Sequence, residues 1–205
     1  MADLNCILVP LKRRFLFFTI NRWELRPSVA HLLHLIVKIK THNIQKIVIH
    51  NNLIPLPKPY AAITFGRKTE AAHISFSKSF FKQGDLTMND ITLWVEILTH
   101  EVTHIKQIKK YRFFGFGLLP YLLAHAYHYI KAKSHDKSDL EQEPVSRQKV
   151  FCEMNSYLNK AVEPYALAKL FADETLTERE KISRINDYSN KYKASLNTDI
   201  KVENK

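Results

Sequence analysis

In the run from Met88 to Lys110, apolar residues recur at Trp94, Leu98, Val102, Ile105 and Ile108. That is the three- and four-residue spacing that turns one stripe of an α-helix toward a core. A second stripe, Val29, Leu32, Leu33, Leu35, Ile36 and Ile39, follows Arg26-Pro27-Ser28, where a proline suits the first turn of a helix. Between the two lie shorter, β-rich runs. Lys46-Ile-Val-Ile49 reads as a strand, a loop follows at Pro55, Pro57 and Pro59, and Tyr60 to Phe65 and Ala71 to Ser77 read as a hairpin-like pair around Gly66-Arg-Lys-Thr69. From Ser138 onward the pattern is helical, most apolar from Val150 to Phe171. The order predicts an α+β arrangement: a small N-terminal β-sheet over one long helix, then a helical C-terminal half. Residues before Arg26 read as irregular, and Ala72-His-Ile-Ser-Phe76 as the edge strand, where an extended peptide would pair main chain with main chain.

Composition narrows the class without naming a chemistry. A chain of 205 residues, 45% hydrophobic and with only 4 glycines, is long enough for one domain with a core, and shows no internal repeat. The expected division is a domain over residues 1–172, with 173–205 as a charged peripheral helix and a frayed tail. Lys and Arg number 31 against 20 Asp and Glu, a net charge of +11. The charges are dispersed (Lys12-Arg13-Arg14, Arg67-Lys68, Lys109-Lys110, Lys131 to Lys133), which reads as a solvated basic surface and leaves nucleic acid or an anionic surface as a secondary partner class. Cys6 and Cys152 are far apart, which suggests neither a disulfide framework nor a cysteine metal site and suits a reducing compartment. Lys12, Arg13 and Arg14 interrupt the N-terminal apolar stretches, so no signal peptide is expected; export from the cytoplasm would need a specialised machine. Phe113 to Ile130 lacks Lys, Arg, Asp and Glu but contains Gly115, Gly117, Pro120, two His and three Tyr, which argues for a loop and a buried or interfacial helix over a membrane span.

The long helix carries the chemistry. His100-Glu101-Val102-Thr103-His104 places two imidazoles four residues apart on one helix face, beside the apolar stripe, where both can hold one zinc ion while Glu101 reaches a water at the remaining position. Strands, then this HExxH helix, then a helical half is the order of a zincin-like fold, and such a histidine pair needs a third protein ligand. Gln107 and Lys110 stand where the longer HExxHxxGxxH motif would need Gly and His, so that version is excluded and a downstream glutamate is the default. Glu141, Glu143, His125, His128, His135 and Asp136 are the candidates. Glu141 also completes Ser138-Asp-Leu-Glu141, the S-x-x-E form of a helix capping box. Asp136 and Asp139 are possible partners for the second ring nitrogens of the histidines, and Tyr127, His128 or Tyr129 could stabilise developing negative charge. His31 and His34, at i and i+3, have no carboxylate beside them in sequence, and His73 reads as an exposed strand residue that could meet substrate.

Leu98 to Gln107 (LTHEVTHIKQ), the aromatic stretch FFGFGLLPYLLAHAY and Leu140-Glu141-Gln142-Glu143 together resemble the short bacterial HExxH domains called the extracellular contractile injection system core. The preceding AAITFGRKTEAAHISFS is similar to that family's pair of strands, so the resemblance covers about residues 58–150. It implies a gluzincin-type zinc metallopeptidase with His100, His104 and Glu141 as ligands, Glu101 as general base, a peptide or protein substrate, and delivery as an effector. Pro144, where such domains commonly carry a small residue, suggests that the ligand-bearing helix begins near 140–143, which keeps Glu143 open as the ligand. The rivals are a non-catalytic zinc-binding module and a basic binder of nucleic acid or anionic surfaces.

Overall fold

The computed structural model describes residues 3–11, 14–15, 18–19, 22–54, 61–66, 72–81, 85–110 and 138–203. It is an α+β fold with a small mixed sheet and a helical C-terminal half. The strands are β1 (Leu8–Leu11), β2 (Arg14–Phe15), β3 (Phe18–Thr19), β4 (Arg22–Leu25), β5 (Val48–Asn51), β6 (Ala62–Gly66) and β7 (Ala72–Phe76). The helices are α1 (Pro27–Val37), α2 (Thr41–Ile44), α3 (Met88–Lys110), α4 (Asp139–Ala161), α5 (Ala166–Ala172) and α6 (Glu178–Glu203).

Five strands pair in the order β1-β4-β5-β7-β6, antiparallel except for the parallel β5–β7 pair, and β2–β3 form a separate two-residue ladder. The expected hairpin is present: β6 and β7 pair in antiparallel register from Ala62↔Phe76 to Gly66↔Ala72. Two expectations need correction. The segment before Arg26 is not irregular, because β1 and β4 pair from Leu8↔Leu25 to Leu11↔Arg22. The edge strand beside the long helix is β6, whereas Ala72–Phe76 lies inside the sheet between β5 and β6. Continuous burial of Ile74, Ser75 and Phe76 is the mark of such an interior strand.

Alternation along the strands decides what reaches α3. Register puts Ile49, Ile74 and Thr64 on one face of the sheet, where Phe76 brings its ring to 4.3 Å from that of Trp94 on α3. The predicted stripe of α3, Trp94, Leu98, Val102, Ile105 and Ile108, is buried throughout. Thr87 and Asp90 cap the helix reciprocally, main-chain N–H to side chain at 3.0 and 3.1 Å. Thr99 and Thr103 satisfy their buried hydroxyls by donating to the carbonyls of Val95 and Thr99.

The terminal helix takes a larger part in packing than its charged sequence suggests. Ile185 is buried and Tyr192 nearly so, both within the main core. Helix α1 has no side-chain cap of its own; the Ser28 N–H donates at 2.7 Å to Glu178, the first residue of α6, and Glu178 also pairs with Arg26 at 3.4 Å. A carboxylate there satisfies an orphan donor and faces the positive end of α1. Glu178→Ala is therefore expected to cost about 1–2 kcal/mol in denaturant unfolding. A loss no greater than that from Glu163→Ala, which removes a surface pair with Lys169, would show that the cap is not formed.

Candidate metal centre

His100 and His104 project from one side of α3, and Glu141 reaches them from the third residue of α4. Their Nε2 atoms lie 3.1 Å apart. Glu141 Oε2 stands 3.0 Å from His100 Nε2 and 3.5 Å from His104 Nε2. The three residues form a group that can hold a metal ion, their donor atoms all within 4.8 Å of one another. Burial is uneven: the Glu141 side chain is 1% exposed and that of His104 7%, against 18% for His100. Solvent therefore approaches on the His100 side.

Both rings are oriented from behind by glutamines. Gln148 Nε2 donates at 2.7 Å to Glu96, which only accepts, so its Oε1 is turned to His100 Nδ1 at 3.2 Å. Gln107 Nε2 donates at 2.6 Å to the Leu140 carbonyl, again an acceptor only, so its Oε1 is turned to His104 Nδ1 at 2.9 Å. Each Nδ1 then carries a hydrogen, and the two Nε2 atoms and the carboxylate oxygen are turned toward one another. Such a convergence of electron-rich atoms calls for a proton or a cation among them. The donor chemistry fits a metal: two outward-held imidazoles and one carboxylate, with each imidazole fixed through its far nitrogen. Burial lowers the pKa of His104, but its hydrogen bond to Glu141 and the charges of Glu101 and Glu141 outweigh this and hold it above the ordinary value.

Glu101 is buried on the side of α3 that meets the edge strand. Thr64 Oγ1 on β6 lies 2.7 Å from Glu101 Oε2 and 2.9 Å from its main-chain oxygen, so the carboxylate is steadied from the sheet. Glu143 turns elsewhere and pairs at 3.3 Å with Lys106, its side chain 43% exposed. The helix does not wait for Pro144: α4 begins at Asp139 with Ser138 as its cap, and Pro144 sits within it. That early start brings Glu141 to the histidines.

Other sequence candidates fall away from this cluster. His73 is on the opposite face of the sheet, 2.9 Å from His50 and stacked on Phe65. His31 contacts Asn186 Oδ1 at 2.8 Å and His34 the Ile39 carbonyl at 2.7 Å, so they do not converge as ligands. Asp139 is exposed and contacts Gln142; the glutamines fill the supporting role expected of an aspartate. His125, Tyr127, His128, Tyr129, His135, Asp136 and the Phe113–Ile130 stretch lie outside the described residues. Among the described residues no helix is long and apolar enough to cross a membrane. Gln107 and Gln148, with Glu96 and Thr64, support the site without being evident as such in the sequence; only Gln107, three residues after His104, carries a local signal.

Comparison with protein-family models, with curated proteins and with solved structures gives no match.

Proposed function

We propose that this chain is a zinc-dependent peptidase of gluzincin type, consistent with its sequence resemblance to the injection-system HExxH domains. The observation that carries the reading is the meeting of His100 Nε2, His104 Nε2 and Glu141 Oε2 beside a buried Glu101. A non-catalytic metal module needs the three ligands but has no use for a carboxylate buried next to them and held by a threonine. Two imidazoles and one carboxylate suit zinc better than magnesium or calcium.

His100, His104 and Glu141 would hold the metal. When bound, zinc lowers the pKa of a coordinated water to about 7 and polarises a carbonyl. Glu101 is the general base: it takes a proton from the attacking water and later delivers it to the leaving amine. The Thr64 hydroxyl steadies the base from the sheet by donating a hydrogen bond. Gln107 and Gln148 hold the rings so that Nε2 faces the site. Strand β6, the sheet edge nearest the centre, is the place where an extended peptide would add its main chain.

Purified protein is expected to retain about one zinc per chain after dialysis against metal-free buffer. Elemental analysis checks this; absence of any transition metal, with no uptake of added zinc, would end the reading.

A further inference from the structure

We infer that Pro144 is a positioning residue for the metal centre, acting through a main-chain carbonyl that its ring leaves open. This rests on the zinc reading for its affinity test but not for its spectroscopic one.

In an α-helix the N–H of each residue bonds to the carbonyl four residues earlier. Residue 144 has no N–H, so the Leu140 carbonyl lacks its helical donor, although α4 continues without a break on both sides. A buried carbonyl needs a partner. Its partner is Gln107 Nε2 at 2.6 Å, reaching across from α3. That bond settles the orientation of the whole amide, because a carbonyl can only accept. Oε1 is left to face His104 Nδ1 at 2.9 Å, and Nε2 of His104 is thereby committed to the side of His100 and Glu141.

The chain of cause therefore runs from a missing proton at residue 144, through Leu140 and Gln107, to the tautomer of His104. The same short segment supplies Glu141 itself. Within four residues, the Ser138-capped first turn supplies the carboxylate, and Pro144 turns the adjacent carbonyl into an anchor for the facing helix. His100 is held differently: its glutamine is anchored by the side chain of Glu96. A proline inside a helix is ordinarily unfavourable, so its presence at the one position that releases Leu140 is explained by this role.

The experiment compares Pro144→Ala, Gln107→Leu and the double variant with the full-length parent. Zinc affinity is measured by competition with a chromophoric chelator. The His104 tautomer is read by ¹H–¹⁵N correlation on metal-free, ¹⁵N-histidine-labelled protein at alkaline pH, where the ring is neutral. Alanine restores an N–H that competes with Gln107 for the Leu140 carbonyl. Pro144→Ala should lower zinc affinity about tenfold, the lower end of what outer hydrogen-bond partners contribute, and should mix the His104 tautomers. Its metal-free melting midpoint should hold or rise, since alanine mends the helix. A purely structural proline would show the reverse, a fall in midpoint. The double variant should bind zinc no more weakly than Gln107→Leu alone, because both changes break one chain of contacts. Zinc affinity within twofold of the parent with the tautomer retained, additive losses, or an unfolded Pro144→Ala protein would each overturn the inference. If the parent binds no zinc, the peptidase reading fails, and the tautomer measurement alone decides the role of Pro144.

Discussion

Glu101→Gln is expected to keep zinc and fold while lowering peptide hydrolysis by about 10²-fold or more. Glutamine matches glutamate in shape, and its amide oxygen can still accept from the Thr64 hydroxyl that lies 2.7 Å from Glu101 Oε2. None of the three ligand atoms is touched. What disappears is the carboxylate placed to accept a proton, since an amide has no basicity at neutral pH. Removing a buried charge should if anything leave the fold slightly more stable, so lost activity could not be blamed on unfolding. Cleavage of a peptide library, zinc content and melting temperature should be read on the same preparations. Hydrolysis surviving within about tenfold would show that Glu101 is not the base. Equal silence of parent and variant, with zinc bound in both, would favour a metal module without catalysis.

How much of this centre the sequence revealed depends on the range of each interaction. His100 and His104 were legible because their relation is local: four residues on a helix whose apolar stripe is plain. The β6–β7 hairpin and α1 were legible for the same reason. Strands β1 and β4 were not, because they are four residues each, β1 interrupted by Pro10 and β4 by Arg22 and Glu24, and owe their order to pairing with each other and, for β4, with β5. Period-two patterning marks a strand at Ala72–Phe76 but not its neighbours, so it does not tell an interior strand from an edge. Thr64 and Gln148 gain their roles only when β6 and α4 dock on α3, at separations of 37 and 48 residues from the site residues they touch. Pro144 misled because proline ordinarily marks a helix start; here Ser138 caps the helix, accepting from the Leu140 N–H, and the missing bond at residue 144 is replaced from α3.

Glu141→Ala should release zinc, with an affinity loss well beyond the roughly 10- to 100-fold that outer hydrogen-bond partners contribute. Glu141 brings a carboxylate oxygen to 3.0 and 3.5 Å from the two Nε2 atoms and is 1% exposed, so its truncation leaves the two imidazoles without their carboxylate. Glu143→Ala removes only a half-exposed pair with Lys106, worth about 0–1 kcal/mol, and should leave zinc in place. The two variants also separate the ligand role of Glu141 from a capping role. A cap contributes about 1 kcal/mol to stability whether or not metal is present, whereas a ligand contributes mainly through the metal it retains. Added zinc should therefore raise the melting temperature of the parent and of Glu143→Ala but not that of Glu141→Ala. The measurements are chelator competition and thermal unfolding with and without zinc. Retention of zinc by Glu141→Ala, with its release by Glu143→Ala, would transfer the ligand role to the residue that the structure pairs with Lys106.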